Sequence, residues 1–129
     1  MVLRVLLAAL TAAALSGIPS TAHALATRRD PLEAAYAAGS IVLPRETNQR
    51  RLLAASVPVH LGISIAWTVA LDRLGATGAR RGAVAGLAIA ALDLGVGRRF
   101  PRVRALPLLP QLADHAAFGL VAGHLLAAG

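Results

Sequence analysis

The sequence predicts an all-α fold: an integral membrane four-helix bundle with a short amphipathic helix between spans 1 and 2. Three observations predict it. Of 129 residues, 57% are hydrophobic and only 15% are charged, whereas a soluble domain carries roughly 25% charge. The apolar residues gather in four runs, three of them long enough to cross a bilayer, which takes ~20 residues. All thirteen basic residues are arginine, and they stand at the edges of those runs.

The first run covers residues 3–26. It has a rival reading as a cleavable signal peptide, because Met1 to Arg4 is a basic start and Ala22-His23-Ala24 is an A-x-A site. The arginine distribution favours an uncleaved span. With four crossings, Arg28, Arg29, Arg45, Arg50, Arg51, Arg98, Arg99, Arg102 and Arg104 share one face. Arg4, Arg73, Arg80 and Arg81 share the other. The positive-inside rule then puts the nine-arginine face in the cytoplasm and both termini outside. A cleaved signal peptide would export the nine.

Residues 31–43 follow, as an interfacial helix. Asp30 suits an N-cap, Pro31 the first helical position, and Glu33 a capping box. Gly39 and Pro44 mark its end. The second span covers residues 53–74. The third, residues 82–97, is bounded by arginine pairs and is about 24 Å long at 1.5 Å per residue. It crosses if the arginine side chains snorkel or the bilayer thins. The fourth covers residues 106–128, and residues 1–129 form a single membrane domain. Pro19 and Pro58 are expected to kink their helices, each near a histidine able to meet the loosened backbone.

The polar residues inside the runs are patterned. Ser56, His60, Ser64, Thr68 and Asp72 step by four along one ridge, which must face protein or trapped water because lipid offers no partner. Gly82 and Gly86, with Ala90, form a small-xxx-small row of the GxxxG packing type. Asp93 lies within ~20° of that row. Gln111, His115, Gly119 and Gly123 again step by four, and His124 points the opposite way. Counting from the cytoplasmic end, His23 lies about 6 Å deep, Asp93 about 8 Å, His60 about 10 Å, and Asp114 with His115 about 12–14 Å. One hydrogen-bonded cluster of His60, Asp93, Asp114 and His115 is therefore expected, with His23 at its rim. Structural hydrogen bonding is the leading reading of this cluster. A proton relay is an alternative, because histidine titrates near neutrality. A metal site is another, although no tight ligand signature such as HExxH is present, and the metal question stays open.

Other chemistry is excluded more firmly. There is no cysteine, hence no disulfide, thiolate metal site or cysteine nucleophile. No phosphate-cradling glycine loop and no GxSxG elbow is present. The net charge of +7 comes with only 3% aromatics and no stacking platform, so no nucleic-acid partner is expected.

Read together, GIPSTAHAL, RRDPLEAAYAAGS, PVHLGISIAW and LADHAAFG make the chain resemble the small four-helix membrane proteins of actinobacteria. The resemblance implies an uncleaved first helix and implies no activity, substrate or functional residue. The expectation is thus a multi-pass protein of the cell inner (plasma) membrane, a non-enzymatic accessory or scaffold component. Its partners would be the lipid bilayer and another copy or a membrane protein, with no cofactor. The alternatives are a small transporter or proton-coupled channel, and a metal-dependent intramembrane enzyme.

Overall fold

A computed structural model describes all 129 residues. The chain is all-helical, in the order α1 (Val2–Ser16), α2 (Ile18–Ala26), α3 (Glu33–Ser40), α4 (Gln49–Arg73), α5 (Ala79–Gly97), α6 (Pro101–Arg104) and α7 (Leu108–Ala127). Two segments are long and apolar enough to cross a membrane by length and composition. They are Val2–Ala26 and Gln49–Arg73, of 25 residues each, with mean hydropathies of 1.8 and 1.7. Helix α5 has 19 residues and includes Arg80, Arg81 and Asp93, and α7 has 20.

Helix ends are set by caps, and they differ from the limits of the apolar runs. Helix α4 starts at Gln49, ahead of the apolar run, because the Asn48 side chain accepts from the backbone N–H of Arg50 and Arg51 at 3.0 and 3.3 Å. It ends where Gly75, at φ +66°, lets the Ala76 N–H turn back to Leu71 O. Arg28 takes the same left-handed place after α2, at φ +57°, with the Arg29 N–H bonded to Ala24 O. Helix α3 is shorter than the expected 31–43. Asp30 accepts from the Leu32 N–H. Glu33 does not reach back as a capping box would; the Arg29 guanidinium draws it away at 2.8 Å, a charge-assisted bond. Helix α3 lies on α4, burying Tyr36, Ala37, Gly39 and Ser40.

Helix α7 packs against α1, α2 and α5, and more lightly against α4, which itself lies on α1. The tightest pairing is α5 with α7. A Cβ on Gly82 would strike the Gly119 carbonyl, one on Gly86 the His115 carbonyl, and one on Gly119 the Gly82 carbonyl. The two backbones therefore touch, and the Gly78 N–H donates to Gly123 O across the pair at 2.7 Å. Val5, Ala8 and Ala12 of α1, Leu71 of α4, Ile89 of α5, and Phe118, Ala122 and Leu126 of α7 form the apolar core.

Arg4 fastens one end of this packing. Its Nη2 donates to Asp72 Oδ1 at 2.6 Å and its Nη1 to Leu126 O at 3.2 Å, joining α1, α4 and α7. A cation at the last carbonyls of α7 also suits the helix dipole. Both side chains remain partly solvated, at 33% and 20% exposure, which discounts the pair relative to a buried one. Asp72→Ala is expected to cost about 1–2 kcal/mol in thermal unfolding. A double variant with Arg4→Ala should cost less than the sum of the two single changes, the mark of direct coupling.

Candidate functional site

The polar groups are placed by two interruptions of helical regularity. Pro19 has no N–H to donate, so the first helical segment breaks at Gly17 and restarts as α2. The Gly17 N–H turns to Leu15 O instead of Ala13 O. The Ala13 carbonyl instead accepts from His60 Nε2, across from α4, at 2.9 Å. On the other side of the break the Ser20 N–H donates to Asp114 Oδ1, from α7, at 2.8 Å. A carboxylate in the first turn of a helix satisfies an orphan donor and complements the dipole. His60 and Asp114 thus cap the two ends of one broken helix. His60 bonds that backbone from two residues beyond Pro58, a proline inside α4.

The second centre lies between α4, α5 and α7. Trp67 Nε1 donates to both carboxylate oxygens of Asp93, each at 3.1 Å. His115 Nε2 stands 3.3 Å from Asp93 Oδ2, and His115 Nδ1 stands 2.7 Å from Gln111 O. Both ring nitrogens therefore face oxygen acceptors. A neutral imidazole has one N–H and cannot serve both. With hydrogen on Nδ1 for the Gln111 carbonyl, Nε2 is left facing the Asp93 carboxylate. Trp67, Asp93 and His115 thus form a three-helix link. The side chains of His115 and Asp93 are 19% and 29% exposed.

The five ionisable residues singled out in the sequence are thus divided among several contacts. Asp93 and His115 meet directly. Asp114, adjacent to His115 in the chain, turns to α2 and remains within Coulombic reach of His60 and His115. His60 is bonded to α1. His23 is half-buried, and its carbonyl accepts from Thr27 within the last turn of α2. Gly82, Gly86, Gly119 and Gly123 form the α5–α7 seam. His124 is exposed in the last turn of α7. No three His, Asp or Glu side chains converge as a metal ion requires. The buried polar ridge of α4 is Ser56, Ser64 and Thr68; the Ser56 and Thr68 hydroxyls donate to carbonyls of their own helix, Leu53 O and Ser64 O.

Sequence reasoning missed Trp67 and the Arg4–Asp72 pair. Signals for both existed. A lone tryptophan on an apolar helix must place its N–H, and antiparallel order brings residues 4 and 72 to the same end.

A third polar region lies at the opposite end from Arg4. The segment between α3 and α4 meets the start of α6, so the arginines of two connections come together. Glu46 is tightly held there. The Asn48 backbone N–H, helped by that of Thr47 and by Arg51, keeps its carboxyl below the ordinary carboxylate range.

No protein-family model, curated protein or solved structure matches this chain.

Proposed function

We propose that the protein is a multi-pass component of the inner membrane. It crosses four times, with both termini outside and the nine-arginine face in the cytoplasm, and acts as a non-enzymatic accessory or scaffold subunit. The observation that carries the membrane reading is an inverted distribution of side chains. Only 27 of 129 residues are buried, and most are Ala, Gly, Ser or Thr, such as Ala9, Ala12, Ala90 and Thr68, each at 0% exposure. Many large apolar side chains face outward: Leu7 at 55%, Val57 at 56%, Val84 at 65% and Leu109 at 78%. Water would penalise that surface heavily. Lipid does not, and membrane helices associate through small residues and polar contacts worth about 0.6 kcal/mol each.

The scaffold reading is supported by the inward use of the polar groups. His60, Asp93, Asp114 and His115 each bond another part of the chain. The glycine rows of α5 and α7 are used against each other, which leaves outward apolar faces for a partner or a second copy. One observation favours a second reading, a proton-coupled channel or transporter: His115 lies between two oxygen acceptors, the Gln111 carbonyl and the Asp93 carboxylate.

The expected result in cell fractionation is a membrane pellet that resists alkaline carbonate and dissolves in detergent. Release by carbonate contradicts the integral reading. Reconstituted in liposomes with an internal pH dye, a scaffold leaves the imposed pH gradient as stable as in empty vesicles. Dissipation by wild type but not by Asp93→Asn would replace the scaffold reading with proton transport.

A further inference from the structure

At the arginine-rich end, a cleft of about 220 Å³ opens between the α3–α4 connection and α6. Ser40, Arg45, Glu46, Thr47, Phe100 and Arg102 line it. Its two walls are fixed by the backbone. The Glu46 N–H donates to Leu43 O at 3.1 Å on one side, and the Phe100 N–H donates to Gly97 O at 2.9 Å on the other. Val103 closes against Gly97 and holds α6 back on the end of α5.

The hydrogen-bonding state of the lining is one-sided. The one carboxylate has its oxygens satisfied: Glu46 Oε1 accepts from the Thr47 and Asn48 N–H groups and Oε2 from Arg51 Nη1. The Ser40 hydroxyl donates to Ala37 O. The cationic donors differ, for neither Arg45 nor Arg102 forms an ion pair with the chain. The Thr47 hydroxyl has no protein acceptor either. Two guanidinium forks and a hydroxyl around an open cleft, with the local carboxylate neutralised, are the donor set of a phosphate oxyanion. The volume lies below the roughly 300–1,000 Å³ of pockets for drug-sized ligands. It suits a phosphate with its glycerol better than a nucleotide.

We propose that this cleft binds the phosphate of an anionic lipid headgroup. The lipid source rests on the membrane reading above, which sets the cleft at the cytoplasmic surface, where anionic lipids are matched by clustered arginine. Phe100 is an aromatic at the same level, where rings anchor at membrane interfaces.

The test is native mass spectrometry on the full chain in detergent, titrated with phosphatidylglycerol, phosphatidylcholine and inorganic phosphate. Wild type is expected to bind one phosphatidylglycerol in preference to phosphatidylcholine. The double variant Arg45→Gln/Arg102→Gln is expected to bind it about 30-fold more weakly. Arg98→Gln/Arg99→Gln removes the same charge outside the lining and should change affinity less than about threefold. Equal losses in the two double variants would mean diffuse attraction and overturn the site. Inorganic phosphate binding as tightly as phosphatidylglycerol would assign the cleft to a soluble anion and overturn the lipid source. The assay is made in detergent, so a failed membrane reading appears in carbonate extraction and leaves this comparison intact. Arg45 and Arg102 have no internal partner, so unchanged thermal unfolding of their variant separates lost binding from lost folding.

Discussion

Replacing Gly119 by alanine is expected to lower stability by about 2–3 kcal/mol, and replacing it by valine by more. The reason is geometric. The added Cβ would meet the Gly82 carbonyl and, at 2.8 Å, the Gly86 nitrogen. Backbone atoms cannot rotate aside as a flexible side chain can, so the helices must separate along the whole seam. Separation also breaks the bond from the Gly78 N–H to Gly123 O and pulls His115 away from Asp93. Gly62 and Gly95 provide the control, since a Cβ at either meets nothing within 4 Å. Alanine there should be neutral or stabilising by up to about 1 kcal/mol, from helix propensity. Thermal unfolding in detergent, followed by circular dichroism, ranks the four variants. A Gly119→Ala protein as stable as Gly62→Ala would remove the seam from this description.

The second large effect concerns Asp93. Alanine at this position leaves the Trp67 N–H and one His115 nitrogen without partners in a poorly solvated setting, at an expected cost of about 3 kcal/mol. Asparagine should cost under about 1 kcal/mol. Its carbonyl oxygen accepts from Trp67 and its amide donates to His115 Nε2, so the geometry survives without the carboxylate. Trp67 is the only tryptophan in the chain, so its fluorescence reports this link with no background. The Asp93→Asn emission is expected to stay close to that of wild type, and the Asp93→Ala emission to change as the indole N–H loses its acceptor. Equal destabilisation by alanine and asparagine, or identical emission from the two variants, would contradict the link.

These two sites also show what the sequence makes legible. The four-residue steps of Gly82 and Gly86 and of Gly119 and Gly123 identify both glycine rows, because small residues on one helix face mean close approach. That the rows face each other was not legible, since periodicity fixes a face and not its neighbour. Asp93 was marked as inward-facing by the same logic. Its partners depended on helix offsets and on the reach of an indole, which no spacing rule contains. Depth counting placed His60, Asp93, Asp114 and His115 at similar levels and so suggested one network. The break at Gly17 instead leaves the Ala13 carbonyl and the Ser20 N–H without backbone partners, and these engage His60 and Asp114. Pro19 gave warning of the break but not of the side chains that meet it. Apolar runs also set different limits from helices. Asn48 starts α4 before the apolar stretch begins, and the four-residue α6 was hidden among arginines.

The central claim, four crossings with the arginine face inside, has one direct test. The chain contains no cysteine, so single cysteines can be introduced without background. Thr77→Cys and Ala128→Cys lie at the end fastened by Arg4, and Thr47→Cys and Arg99→Cys at the arginine-rich end. A membrane-impermeant maleimide applied to intact cells is expected to label the first two, and the other two only after lysis. Labelling of Thr47→Cys or Arg99→Cys from outside, or protection of Ala128→Cys, would contradict the topology and the positive-inside argument on which it stands.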